Sequence, residues 1–160
     1  MKTDAVITQL LELLDEGFER KAWHGPNLRG SLRGVTAAQA ARRPAPGRHN
    51  IWELAVHAAY WKYAVRRRLT GEKRGSFARS GSNWFHRPGP DPSAAAWRRD
   101  LALLAAEHRR LRAAISRLRA ADLARMAKGH RTPNGYLVRG AAAHDLYHAG
   151  QIQLLKRMLR

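Results

Sequence analysis

The chain has 160 residues, which suits one domain with a single hydrophobic core, so we treat residues 1–160 as one domain. It contains no cysteine, which excludes disulfides, thiolate metal sites and cysteine nucleophiles. Its formal net charge is +18, and no apolar run approaches the roughly 20 residues that span a bilayer. The N-terminus lacks a signal-peptide pattern, so we expect a cytoplasmic protein with no membrane partner.

The positive charge has two interpretations. One is a partner that is anionic, such as nucleic acid, an anionic substrate or an acidic membrane surface. The other is a compositional bias toward arginine on solvated faces. Because arginines are spread along the chain and no nucleic-acid motif accompanies them, nucleic acid is not the favoured partner.

The first predicted helix runs from about Thr3 to Arg20, where apolar residues recur at spacings of three and four. Two shorter helices follow it. One carries Leu28 and Leu32, and the other begins after Thr36, which forms a capping-box pattern with Gln39.

The second long helix is predicted from Ile51 to Leu69. Asn50 is a good N-cap with Glu53 three residues later, and Gly71 is a plausible C-cap. This helix is apolar on most sides, so we expect it to be central or to lie at an interface, such as that of a homodimer.

Residues 71–92 form the longest irregular stretch and are rich in glycine and proline. Phe77, Trp84 and Phe85 lie within it, so we expect a loop packed against the body of the domain. Loops of this length in a compact domain are usually functional or mobile.

The third long helix begins near Asp91 and carries a bundle seam. The seam residues are Trp97, Leu101, Leu104, His108, Leu111, Ile115 and Leu118. A turn over residues 120–126 and a loop over residues 128–135 lead to the fourth long helix, from Tyr136 to Arg160. No alternating pattern predicts a strand. The prediction is an all-α four-helix bundle with a long loop between the second and third long helices.

Histidines occupy apolar positions in two of these helices. His144 and His148 are four residues apart on the apolar stripe of the fourth long helix, and His57 lies at the edge of the apolar arc of the second. A buried imidazole needs a partner for each ring nitrogen, and a metal ion is one such partner. Three protein ligands with an open position are typical of a catalytic metal site, whereas the alternative is three hydrogen-bonded core histidines.

His108 also lies on a predicted core seam. As a fourth ligand it would close the metal site and make it structural. The alternative is an ordinary core histidine.

Two segments resemble the DinB/YfiT-like family of metal-dependent bundle proteins. They are residues 50–61, which contain His57, and residues 135–151, which contain the pattern His144-x-x-x-His148-x-Gly-Gln151. The segment that begins at Trp23 and the amphipathic third helix are similar too, so the resemblance covers essentially the whole chain.

The resemblance implies a four-helix bundle that is often dimeric, with three histidines that bind divalent nickel, zinc or iron. Carried over to this sequence, the ligands are His57, His144 and His148. Characterised relatives include transferases and isomerases that use low-molecular-weight thiols. We therefore expect a metal-dependent enzyme, either a thiol-dependent transferase or isomerase or a hydrolase, whose small-molecule substrate includes such a thiol. The alternative is a non-enzymatic basic protein that binds nucleic acid or a protein partner, with a structural or vestigial metal.

Four further residues are candidates for the surroundings of the site. Glu53 lies one turn before His57 and could orient it, besides capping its helix, and Gln151 could hydrogen-bond a ligand or another core group. Trp23 and Trp61 could wall a substrate pocket, although bundle aromatics are more often core residues. No catalytic base is identifiable.

Overall fold

The computed structural model describes residues 4–126 and 131–159, and within them the chain is helical. The elements are α1 (Ala5–Phe18), α2 (Leu28–Leu32), α3 (Ala37–Ala41), α4 (Ile51–Thr70), α5 (Ala94–Ile115), a 3₁₀ turn (Ala120–Asp122) and α6 (Asn134–Met158). An isolated β-bridge joins Met126 and Pro133, and the described residues contain no strand. The all-α prediction is confirmed: α1, α4, α5 and α6 are the four long helices.

The predicted helix boundaries agree with the structure to within a few residues. The first helix is shorter than predicted, and the seam residue Leu118 lies beyond the end of α5. Thr3, the predicted loop residues Lys128 to His130 and the predicted helix end Arg160 lie outside the described residues.

Capping interactions determine where α4 begins and ends. The Asn50 side chain accepts from the amide of Glu53, while the Glu53 carboxylate accepts from the amide of Asn50. At the other end Gly71 adopts a left-handed conformation, with φ of 76°, and its amide bonds to the Arg67 carbonyl. Both ends of the helix that carries His57 are therefore fixed by local sequence.

Helix α4 lies at the centre of the fold. It packs most extensively against α5 and also against α6 and α3, while α1 packs against α6. Gly17 permits the close approach of α1, since a Cβ there would lie 3.1 Å from the carbonyl oxygen of Ala142. Because the chain itself covers the apolar faces of α4, those faces no longer argue for an interface, and the homodimer stays a prediction from the family resemblance.

The long loop between α4 and α5 packs against α4 through its aromatic residues. Phe85 is buried, and Phe77 lies against Tyr60, Tyr63 and Phe85 with ring centroids 5.3–5.4 Å apart. The expectation that this loop packs on the body of the domain is confirmed.

Several charged groups are buried between the helices. Lys62 on α4 and Asp145 on α6 form an ion pair, and their side chains are only 2% and 1% exposed. Asp100 on α5 accepts from the indole of Trp52 at 2.7 Å and pairs with Arg79 and Arg87 from the loop. These pairs tie the loop and α6 to the two central helices.

In the described residues, no helix is both long enough and apolar enough to cross a membrane.

The Lys62–Asp145 pair gives a prediction about stability. Removal of one partner leaves the other charge buried and uncompensated, which costs roughly 3–5 kcal/mol, whereas an apolar pair of similar volume avoids that cost. We expect Lys62→Met and Asp145→Leu each to lower the free energy of urea unfolding by about 3 kcal/mol. The double variant should be more stable than either single variant. Additive losses in the double variant would show that the pair is not coupled.

Candidate metal centre

The three predicted ligand histidines come together inside the bundle. His57 lies in the second turn of α4, and His144 and His148 lie one turn apart in α6. The Nε2 atom of His144 is 3.1 Å from Nε2 of His57 and 3.0 Å from Nε2 of His148. One ring nitrogen from each of the three histidines lies within 4.8 Å of the corresponding nitrogens of the other two. The rings therefore present the same atom, Nε2, to a common point.

Hydrogen bonds on the far side of two rings determine which nitrogen carries the proton. Nδ1 of His57 lies 2.8 Å from the carbonyl oxygen of Asn83, and Nδ1 of His148 lies 2.7 Å from Oε1 of Gln151. Both partners are acceptors, so each Nδ1 must donate. In the neutral ring the lone pair is then on Nε2, and it points toward the other histidines.

Burial keeps these rings neutral. Desolvation lowers the pKa of His57 from 6.5 to about 4 and that of His144 to about 3, and the neighbouring histidines add to both shifts. Burial lowers the pKa of His148 as well, against the opposing effect of the hydrogen bond that His148 donates to Gln151. At neutral pH each of the three rings is therefore a neutral imidazole that carries a single N–H proton. A single Nε2 proton on His144 could serve one of its two contacts well and would leave the Nε2 lone pair of the other histidine without a donor of its own.

Tryptophans flank the cluster on the side of the long loop. The indole of Trp84 stacks on His57 with centroids 3.8 Å apart, and its other face stacks on His49 at 3.6 Å. Trp61 meets His57 and His144 edge-on and donates its indole N–H to Oδ1 of Asn83. These aromatic surfaces shield the histidines from water on that side.

Two of the candidate neighbours, Gln151 and Trp61, contact the histidines directly. Gln151 hydrogen-bonds His148 directly, and Trp61 packs beside two of the three rings. Glu53 instead caps α4 and binds Arg43, His49 and the Arg87 amide. Despite its burial, these hydrogen bonds and the charge of Arg43 lower the pKa of Glu53 below its ordinary value. No hydrogen bond joins Glu53 to His57, so the orienting role belongs to Asn83.

Trp23 and His108 lie apart from the cluster. The Trp23 side chain is fully exposed, so the structure does not place it in a pocket wall. His108 is buried, stacks on Phe18 with centroids 4.0 Å apart, and has Nδ1 3.4 Å from the Lys62 ammonium. The structure thus places His108 as a core histidine and not as a fourth ligand.

Sequence reasoning missed Asn83, His49 and Asp145. Asn83 has φ of +62°, a conformation that asparagine adopts more readily than most residues, but nothing in the sequence links it to His57. Asp145 directly follows His144, and Lys62 lies in the apolar arc of α4. A charged residue at an apolar position in each helix was therefore the available sequence signal for this buried ion pair.

Cavity volume does not point to the three histidines as a binding site. A groove of about 1260 Å³ lies between α2, α3 and α5, with a floor that includes Trp97 and Leu104, and none of the three histidines lines it. The case for a functional site therefore depends on the arrangement of the nitrogen atoms.

Comparison with protein families finds a match over residues 20–152 to the model of the DinB superfamily. Comparison with curated proteins found no significant match, and neither did comparison with solved structures. The matched region contains His57, His144, His148 and Gln151, and it spans α2 to α5 and most of α6. The chain belongs to the DinB superfamily.

Proposed function

We propose that this protein binds one divalent metal ion through the Nε2 atoms of His57, His144 and His148, and that it catalyses a thiol-dependent transfer or isomerisation. The observation that carries the proposal is the convergence on one point of three Nε2 atoms, of which those of His57 and His148 bear lone pairs. With at most one proton among the three, such an arrangement is unfavourable on its own, and a cation at that point would stabilise it.

The nitrogen separations fit a shared ion. Two nitrogens bound at about 2.1 Å are about 3.0 Å apart when they subtend a right angle, and about 3.4 Å apart in a tetrahedral arrangement. The separations of 3.0 and 3.1 Å lie at the near end of this range. An all-imidazole donor set suits zinc, nickel or iron and does not suit magnesium or calcium.

The donor count supports a catalytic role over a structural one. Three protein ligands leave coordination positions for a substrate, whereas structural zinc sites usually have four protein ligands. When bound, the metal would act as a Lewis acid that favours the deprotonated form of a coordinated thiol or water.

The protein's own residues would orient and protect this centre. Asn83 and Gln151 hold the His57 and His148 rings in the tautomer that a metal requires, which raises their basicity as ligands. Trp84 covers one face of His57 and would exclude water there.

The lack of a nearby base favours thiol chemistry over hydrolysis. Among the described residues, no carboxylate hydrogen-bonds to any of the three histidines, and Asp145 binds Lys62 instead. A thiol, with an ordinary pKa near 8.5, loses its proton more readily than water and depends less on a protein base. Membership of the DinB superfamily agrees with this choice, since the family resemblance implies enzymes that use low-molecular-weight thiols.

Metal content is the first test of the proposal. We expect purified protein to bind about one zinc or nickel ion per chain, and His57→Ala, His144→Ala and His148→Ala each to lose most of that affinity, because each removes one of three ligands. His24→Ala, which changes an exposed histidine, is the matched control. Elemental analysis after dialysis measures the stoichiometry. Equal metal content in all four variants would show that His57, His144 and His148 do not bind the metal.

Gln151 gives a finer test of the orienting role. Replacement of a group that holds a ligand histidine typically costs 10–100-fold in metal affinity. We expect Gln151→Ala to weaken zinc binding at least tenfold while thermal stability stays near that of the native protein. Gln153→Ala, two residues further along α6, is the control. An unchanged zinc affinity in a competition titration with Gln151→Ala would show that Gln151 does not orient His148.

The metal-free protein tests the lone-pair arrangement itself. Two-bond ¹H–¹⁵N correlation spectra report which ring nitrogen carries the proton. We expect His57 and His148 to be neutral Nδ1–H tautomers at pH 7, whereas exposed His24, which makes no hydrogen bond to the described residues, should show a mixture. A proton on Nε2 of His57 would contradict the geometry.

A further inference from the structure

One face of α4 holds both His57 and a positively charged side chain, Arg68. His57, Trp61 and Arg68 are separated by four and seven residues, so they lie within about 40° of one another around the helix. Long helical side chains lean toward the N-terminus, which directs Arg68 back over Trp61. The same stripe of the helix thus holds a proposed ligand, an aromatic wall and a positive charge.

The ring of Trp61 connects this charge to the histidine cluster. The Cζ atom of Arg68 lies 5.6 Å from the ring centroid of Trp61, and that centroid lies 6.2 Å from the centroid of His144. A ligand that extends from the histidine nitrogens across the Trp61 ring would therefore reach the guanidinium. The cation–π contact with Trp61 involves none of the N–H donors of the guanidinium in a hydrogen bond, so they are left for other partners.

Those donors have no protein partner among the described residues. The side chain of Arg68 takes part in no hydrogen bond or ion pair there, and its Nε atom is buried without a partner. Arg66, two residues earlier, pairs with both Glu72 and Glu107. The contrast shows that Glu72, from the loop after α4, and Glu107, from α5, pair with one of these arginines and leave the other without a carboxylate.

Neighbouring arginines add to this local excess of positive charge. Burial, together with the charges of Arg67 and Arg74, lowers the pKa of Arg68 below its ordinary value. In a chain with net charge +18, unpaired arginines are common on the surface. Arg68 differs from them because it is half-buried and lies one ring away from the histidines.

We propose that Arg68 binds a carboxylate or phosphate group of the ligand that approaches the three histidines. A guanidinium binds either group through two parallel N–H···O bonds, and partial burial strengthens them. This inference rests on the proposed function and restricts it to a substrate or thiol that carries an oxyanion. Such a molecule has its reactive end at His57, His144 and His148 and its anionic end at Arg68.

The test distinguishes direct binding of the anionic group by Arg68 from the general electrostatic attraction of the arginines at the C-terminal end of α4. The probes are ω-mercapto carboxylates of increasing chain length and the uncharged ω-mercapto alcohols of equal length, titrated into zinc-loaded protein by calorimetry. The variants are Arg68→Gln and, as the matched control, Arg67→Gln, which removes the same charge from the same helical turn.

We expect the native protein to bind the best carboxylate at least tenfold more tightly than its alcohol. Arg68→Gln should abolish that preference and leave alcohol binding unchanged, whereas Arg67→Gln should change carboxylate binding less than threefold. Equal losses in both variants, or no preference in the native protein, would overturn the proposal.

A metal-free arm makes the two proposals independent. Inorganic phosphate is titrated into metal-free protein while the Nε–H resonance of Arg68 is followed by NMR. If the protein binds no zinc but phosphate shifts this resonance and not that of Arg67, the metal proposal fails and the anion site stands. If zinc binds but phosphate leaves Arg68 unaffected and carboxylates show no preference, the anion site fails alone.

Discussion

Three imidazole Nε2 atoms that face one another with at most one proton among them are an unfavourable arrangement that the rest of the bundle must hold in place. The Nε2 atoms lie 3.0 and 3.1 Å apart along the path from His148 through His144 to His57. Burial disfavours the proton that could relieve the contact, since it lowers the pKa of all three rings. Such unfavourable arrangements are concentrated at functional sites, and this one is compatible with binding of a metal cation.

The arrangement requires a fixed register between α4 and α6. The Lys62–Asp145 pair joins these two helices five residues after His57 and one residue after His144, so a slide of one helix would separate both the ion pair and the ligands. Gly17 lets α1 pack closely on α6 beside Asp145. A buried ion pair adds less to stability than to the choice of one packing, which is the property a metal site needs.

The long loop completes the site from the outside. It brings the carbonyl of Asn83 to His57 and the amide oxygen of Asn83 to Trp61, while Trp84 stacks on the exposed side of His57. Asp100 anchors the loop through Arg79 and Arg87. One irregular segment thus orients a histidine of the cluster, shields it and connects it to the core, which is consistent with a functional role for a loop of this length.

Local patterns predicted most of the fold. The capping box of Asn50 and Glu53, the left-handed Gly71 and the periodicity of the long helices depend on neighbours in the sequence, and the structure has them where they were predicted. The histidines were also accessible, because His144 and His148 share a helical face. Whether His57 would meet them depended on how α4 packs on α6; its position on an apolar helix suggested this, and the family resemblance supported it.

The parts that sequence reasoning missed depend on contacts between distant segments. Asn83 lies 26 residues from His57, and Asp145 lies 83 residues from Lys62. For Glu53 the sequence offered a capping role and a role on His57; the structure shows the capping role, and a loop carbonyl hydrogen-bonds His57 instead. Trp23, an aromatic residue near a conspicuous glycine and proline, is fully exposed, because residue type alone does not indicate where a side chain packs.

The most direct measurement is a crystal structure of the protein soaked with zinc, with anomalous scattering recorded at the zinc edge. The account predicts one strong anomalous peak within about 2.0–2.2 Å of the Nε2 atoms of His57, His144 and His148, with at least one further coordination position not occupied by protein. A zinc ion bound elsewhere, or held by only two of these rings while the third keeps its distance, would contradict it.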